Sequence, residues 1–260
     1  MALFHILIQS IIQGVTEFLP VSSSAHLLLY SKFITANEES ISLDIAVHLG
    51  SLLAVVLVMK NTFIDSFTNR SGTNINANIK LLVFIATLPI IFVALILDTF
   101  FLIDFSRQLA VIAFANIAFS ILLYISDKSE QKKSLSDFTK TEAFIIGVWQ
   151  SFALFPGASR SGSTITGARF LKYKRKDAIL ISMLLSVPAI GCSSIYLFLK
   201  IFQEIKNFDL TLLFFSSVFS FIFAFLSLKV FLWLGDIISF TPFVVYRLFL
   251  GIIIIFFVYF

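Results

Sequence analysis

Residues 3–33 run LFHILIQSIIQGVTEFLPVSSSAHLLLYSKF. An apolar arm, Leu3 to Leu19, is broken by Pro20-Val21-Ser22-Ser23-Ser24, and the arm that follows, Ser24 to Phe33, has only ten residues. Proline cannot continue a helix, whereas Ser22, Ser23 or Ser24 can cap the next one. At a 1.5 Å rise per residue the second arm covers about 15 Å, half of a hydrocarbon layer roughly 30 Å thick. The pair predicts a re-entrant helical hairpin that enters a membrane and returns to its own side.

The design recurs further along. The arm Ala143 to Phe155 breaks at Pro156-Gly157-Ala158-Ser159-Arg160-Ser161-Gly162, and a short arm, Ser161 to Leu171, leads to the basic cluster Lys172, Lys174, Arg175 and Lys176. Three apolar runs follow each hairpin: Leu43 to Met59, Leu81 to Leu97 and Leu109 to Ile125, then Asp177 to Leu199, Leu210 to Leu228 and Phe243 to Phe260. Three crossings per half bring the second half in from the opposite face, the arithmetic of an inverted-topology repeat. The expected fold is an all-α polytopic membrane protein of six full spans plus two re-entrant helical hairpins. It forms a single membrane domain, with repeat halves 1–126 and 143–260 and a polar connector, 127–142. Likeness between the halves is thin at residue level: Gly14-Val15 and Gly147-Val148, a Pro before each Ser-rich break, and Asp44 and Asp177 opening the next spans.

Composition requires lipid as solvent. Of 260 residues 58% are hydrophobic and 13% charged, with mean hydropathy +0.99, where a soluble domain carries about a quarter charged residues. The N-terminal arm lacks a basic leader and a small-residue cleavage site and is read as mature structure. The net charge of +4 does not argue for nucleic acid, because the basic residues occupy short loops between apolar runs, as orientation signals do. Lys60, Arg70, Lys80, Lys128, Lys132, Lys133, Lys140, Arg169, Lys172, Lys174, Arg175 and Lys176 share one face, against Lys32, Arg107, Lys200 and Lys206 on the other. The richer face is expected to be cytoplasmic, with both termini and the mouth of the first hairpin outside. The single cysteine, Cys192, is expected to be a buried spectator, and the 33 Phe residues to serve lipid contact and packing.

A charged side chain in hydrocarbon costs about 3 kcal/mol or more, so each one needs a partner or a cavity. Gln13 and Glu17, spaced i, i+4, share a face of the first arm near its tip. The helix after each break starts at membrane depth with free backbone N–H groups, which makes an anion site. At the second break Ser159, Arg160, Ser161 and Thr164 add hydroxyls and a guanidinium fork. Convergence of the two tips would bring together an acid, a base and an anion cradle, an inventory suited to phosphoryl transfer, although composition does not choose phosphate over carboxylate. His26, just beyond Ser23 and Ser24, suits a nucleophilic or acid/base role and equally a structural one. Asp44 and His48, also i, i+4, read more simply as a helix-start pair than as part of the site. Arg247, five residues inside the last run, is expected to snorkel.

At these breaks the chain resembles the undecaprenyl-diphosphatase family, also known for bacitracin resistance. Gln13-Gly14-Val15-Thr16-Glu17-Phe18-Leu19-Pro20-Val21-Ser22-Ser23-Ser24-Ala25-His26 is similar to its first signature and Pro156-Gly157-Ala158-Ser159-Arg160-Ser161-Gly162-Ser163-Thr164 to its second. The likeness runs the length of the chain, including the ending Phe240-Thr241-Pro242-Phe243 to Tyr246-Arg247. It implies hydrolysis of undecaprenyl diphosphate to undecaprenyl phosphate and inorganic phosphate at the outer side of the bacterial cytoplasmic membrane. That reaction recycles the lipid carrier for wall polymers and requires Mg²⁺ or Ca²⁺. By motif position the implied catalytic residues are Glu17, Ser23, His26 and Arg160, with Ser23 and His26 both open as nucleophile. Gln13, Ser159, Arg160, Ser161 and Thr164 are implied to bind substrate, and Glu17 and Gln13 the metal. Gln13 stands where other members use Glu or Gln, and Ser24-Ala25 replaces the frequent Thr-Gly. The expected partners are the lipid diphosphate and membrane lipids, with a second copy of the chain left open and nucleic acid excluded. The rival reading is a polyprenyl-phosphate transporter or flippase, since broken helices in inverted repeats also build carriers.

Overall fold

The computed structural model describes residues 2–32, 41–68, 78–99, 108–201 and 210–259. Arg70, Arg107 and Lys206 of the charge count, and the run ends Phe33 and Phe260, lie outside them. Among the described residues the chain is all-helical: α1 (Ala2–Thr16), α2 (Ser23–Tyr30), α3 (Ile41–Val58), α4 (Lys60–Thr68), α5 (Ile79–Thr99), α6 (Leu109–Asp127), α7 (Lys140–Ser151), α8 (Arg160–Phe170), α9 (Arg175–Ile201), α10 (Leu210–Leu234) and α11 (Thr241–Tyr259).

Five of these, α5, α6, α9, α10 and α11, are long and apolar enough to cross a membrane, and α3 falls among the shorter apolar helices. The helical ladder of α3 carries on through Met59, whose N–H donates to Val55 O and whose carbonyl accepts from Phe63 N, into α4. Helix α10 runs past Leu228, where the sequence reading ended it at the charge of Lys229. The Lys229 ammonium lies 4.4 Å over the Phe225 ring, so its charge is met without ending the helix. Pro89 and Pro188 lie inside α5 and α9, as neighbouring helices allow in transmembrane segments.

Small residues set the closest helix contacts, as expected where no hydrophobic effect drives association. On α10 the buried residues Ser216, Ser220, Ala224 and Leu228 recur every fourth position. Ser220 donates to Val47 O (2.6 Å), Ser217 to Ala46 O (2.7 Å) and Ser227 to Val15 O (2.8 Å), tying α10 to α3 and α1. A Cβ on Gly14 of α1 would lie 2.7 Å from Ser220 O of α10, and one on Gly147 of α7 would overlap the Ala86 carbonyl of α5. The two Gly-Val positions noted in the sequence are therefore both sites of close helix approach.

Each hairpin closes on the side where it began. His5 Nδ1, near the start of α1, lies 2.7 Å from Tyr30 Oη at the end of α2. After α8, the Lys172 carbonyl accepts from Lys132 N and Lys133 N of the connector that leads into α7. The connector also gathers the other helix ends on that side: Leu135 N donates to Asp177 Oδ1, Phe240 N to Asp127 Oδ2, and Lys176 pairs with Asp236. Arg169, fully buried, donates to carbonyls of Asp127, Ser129 and Tyr173, and Arg175 forks Asp127. On the surface of this plate, hydrogen bonds from Lys172 and Lys132 hold the Glu130 carboxyl down at about 2, so those pairs are formed throughout the physiological pH range.

Candidate active site

The turns that follow α1 and α7 are built alike. Ser22 and Ser159 both have φ 71°, a left-handed conformation rare for a residue with a side chain, and each directly precedes a short helix. Ser22 Oγ lies 3.2 Å from Ser24 Oγ, and Ser159 Oγ 3.1 Å from Ser161 Oγ. Ser159 caps α8 by accepting from Gly162 N at 3.1 Å. Gly157 (φ 94°) lies against the Ile112 carbonyl of α6, where a Cβ would overlap it. The first arms end ahead of the prolines, α1 at Thr16 and α7 at Ser151, and a serine with positive φ opens each of α2 and α8.

The tips meet through Glu17. Its Oε1 accepts from Arg160 Nη2 at 2.9 Å, and its Oε2 from Ser23 Oγ at 2.8 Å and Gln13 Nε2 at 3.0 Å. Arg160 also donates to Ser182 O (3.3 Å) and lies over the Phe18 ring. Ser161 Oγ donates to Leu19 O at 2.7 Å, a second link between the hairpins. Thr164 Oγ1 lies 2.7 Å from Ser182 Oγ, fastening α8 to α9.

These groups face a cavity of about 210 Å³ lined by Glu17, Ser22, Ser23, Ser24, His48, Ser159 and Arg160 among others. Gln13, His26, Ser161 and Thr164 are not among its lining residues. Ile90, Leu154, Ala189 and Ser193 line both this cavity and a second, apolar one of about 310 Å³ that extends between α5 and α9 to Asp98 and Tyr196. Cys192 lines the apolar cavity and is exposed, contrary to the expectation of burial. With Ala189, Ser193 and Tyr196 it forms the α9 side of that cavity, which an apolar run alone does not reveal.

The two histidines nearest the signature turns, His26 and His48, differ. His26 Nδ1 lies 2.7 Å from Ser22 O and must donate to it, and Nε2 is bonded to Tyr246 Oη, on which the imidazole also stacks. His48 Nδ1 donates to Asp44 O at 2.7 Å, and its ring borders the cavity. The sequence reads His48 more simply as part of a helix-start pair, although a histidine at i, i+4 from a carboxylate within an otherwise apolar run is the signal that marks it; the structure puts it at the cavity.

Arg247 corrects a second expectation. It does not snorkel but is fully buried, donating to Asn116 Oδ1 (2.8 Å), Gly157 O and Ala158 O (both 2.9 Å) and Pro20 O (3.4 Å). An apolar helix end made snorkelling the simple reading. A lone Asn116 within the apolar α6 was the sign that a polar partner was needed.

A divalent cation fits part of this set. Glu17 borders the cavity, and one carboxylate together with substrate phosphate oxygens is a common Mg²⁺ environment. Gln13 gives its N–H side to Glu17 and keeps its Oε1 as a buried oxygen without a partner, an acceptor a cation could use, but it is not among the residues that line the cavity. Among the described residues no group of three or more His, Cys, Asp or Glu forms a preformed cage.

Comparison with known proteins bears on this arrangement. The family described as bacitracin resistance protein BacA matches residues 6–253. The undecaprenyl-diphosphatase of Ruegeria pomeroyi is 37% identical, with 98% of each chain covered, and that of Dinoroseobacter shibae is 38% identical over the full length of both. The undecaprenyl-diphosphatase of Pelagibacter ubique is 35% identical over 99% of this chain and 98% of its own.

Proposed function

This chain belongs to the bacitracin resistance protein BacA family, and we propose that it is an integral membrane phosphatase that hydrolyses undecaprenyl diphosphate to undecaprenyl phosphate and inorganic phosphate. The observation that carries the reading is the bonded set Ser23–Glu17–Arg160 at the wall of a polar cavity that opens into an apolar one. A diphosphate suits the polar part and the first isoprene units of a lipid the apolar part.

Arg160 and the first turns of α2 and α8 bind the diphosphate. Substrate oxygens take the guanidinium fork, and Glu17 serves as the base for Ser23, whose Oγ–H already points at it. Ser23 Oγ then attacks the terminal phosphorus, its proton passes to Glu17, and the bridging P–O bond breaks to release undecaprenyl phosphate. Water hydrolyses the phosphoserine to inorganic phosphate and restores Ser23. Ser23 is preferred to His26 as attacking group because both ring nitrogens of His26 are engaged. Glu17, with the phosphate oxygens, would hold Mg²⁺ or Ca²⁺, which supplies charge neutralisation at the transferring phosphoryl group.

The matched turns at Ser22 and Ser159, and hairpins that close on their own sides, support two re-entrant hairpins in an inverted repeat with halves 1–126 and 143–260. In that layout α3 is the sixth crossing. A cytoplasmic-membrane location, carrier recycling for the cell wall and bacitracin resistance follow from the same reading.

The test is phosphate release from undecaprenyl diphosphate by the purified protein. Wild type should turn over with Mg²⁺ and lose turnover on chelation. Glu17→Gln should lower release by about a hundredfold, as loss of a general base does. Tight binding of the lipid with no phosphate release would favour a carrier instead.

A further inference from the structure

We propose that Arg247, oriented by Asn116, is a positioning residue that holds the two signature turns in catalytic register; the proposal rests on the diphosphatase reading above. Its guanidinium is fully buried, and the acceptors that meet it are neutral backbone and amide oxygens. A charge at that depth without a carboxylate is costly, and an apolar residue of similar volume would fill the space with less penalty. The placement of the donors points to what the charge does.

One guanidinium spans both turns. Nη2 forks to Gly157 O and Ala158 O at 2.9 Å each, and Nη1 reaches toward Pro20 O at 3.4 Å. Pro20 and Gly157 hold equivalent positions, each two residues ahead of a serine with φ 71°. Glu17 lies just before the first of these carbonyls and Arg160 just after the second pair, so the Arg247 fork fixes how far apart the two reacting tips stand. Helix α8 is seated on the same group, since a Cβ at Gly162 would come within 2.8 Å of Nη1. Asn116 locks the fork from behind: its Oδ1 accepts from Nε at 2.8 Å and its Nδ2 donates to Arg247 O at 3.0 Å. A lysine keeps the charge but offers no planar fork to serve two turns at once.

The experiment compares Arg247→Lys, Asn116→Ala and Ile254→Ala, a control further along α11 that opens a cavity away from the turns. Each is assayed for kcat/KM on undecaprenyl diphosphate well below its own Tm, alone and combined with Arg160→Lys. Arg247→Lys should lower kcat/KM by about a hundredfold, the scale of an ångström-level misplacement of reacting groups, and Asn116→Ala by a smaller factor. Ile254→Ala should lower Tm and leave kcat/KM unchanged. Because Arg247 acts through the turn that carries Arg160, the combined loss with Arg160→Lys should be smaller than the product of the single losses. Unchanged kcat/KM in Arg247→Lys and Asn116→Ala, or losses that multiply with that of Arg160→Lys, would overturn the proposal. If Arg247→Lys does not fold, Asn116→Ala decides on the same criteria. A wild type that releases no phosphate would sink the diphosphatase reading itself, and this proposal with it.

Discussion

Arg160 joins the two halves of the site: its Nη2 holds Glu17 at 2.9 Å, its Nη1 reaches Ser182 O, and its guanidinium rests on Phe18. The side chain is therefore fixed before any anion arrives. Arg160→Lys retains the charge while losing the planar fork that two phosphate oxygens can take. Phosphate release should fall by about a hundredfold, comparable with loss of one donor from a preorganised anion hole. Near-normal turnover of Arg160→Lys would limit Arg160 to a fold-supporting role. That Glu17 and Arg160 each need a partner is legible in the sequence, because charges inside apolar breaks are costly. The pair itself is not, since nothing local says that residues 143 apart will share a bond. The burial of Arg247 is not legible for the same reason: its partners at Pro20, Asn116 and Gly157 come from three distant segments.

At the scale of elements, the breaks were readable because Pro20, Gly157 and the serines do things to the backbone that few residues can. Helix lengths were less so. Lys229 looked like an end to α10 and is instead accommodated on Phe225, and the short arms were legible only by comparison with bilayer thickness. Helix packing rests on small residues, and two glycines separate packing from propensity. Gly147 of α7 lies so close to α5 that a Cβ would overlap the Ala86 carbonyl, whereas a Cβ on Gly191 of α9 would meet nothing within 4 Å. Gly147→Ala should force backbone apart and destabilise by about 1–3 kcal/mol, seen as a Tm lower by several degrees in detergent. Gly191→Ala, with better helix propensity and free space, should leave Tm unchanged or slightly raised. Equal Tm values for the two variants would mean that α5 and α7 are not packed backbone to backbone.

For the whole molecule, two independent lines predict the direction in which the site opens. The first is charge: the plate formed by the connector and the helix ends around it carries Lys128, Lys132, Lys133, Lys140, Lys172, Lys174, Arg175 and Lys176, the sign expected of a cytoplasmic face. The second is depth along α9. That helix starts on the plate at Arg175, and the residues it gives to the polar cavity, Ala189, Ile190 and Ser193, come up to eighteen residues later, about 27 Å along its axis. The apolar cavity extends beyond them to Tyr196, which donates to Asp98 at 2.6 Å. Both cavities therefore lie toward the end of α9 away from the basic plate, the side on which the inverted layout puts Lys32. In a Cys192→Ser background, needed because Cys192 is exposed, Lys32→Cys should react with an impermeant thiol reagent on intact cells. Lys132→Cys, on the plate, should react only after permeabilisation. The reverse pattern would turn the site toward the cytoplasm and remove the physical basis for a reaction on the outer leaflet, while leaving the Glu17–Arg160 chemistry untouched. Labelling of both on intact cells would mean that one hairpin crosses the membrane fully, and the inverted-repeat reading would fall with it.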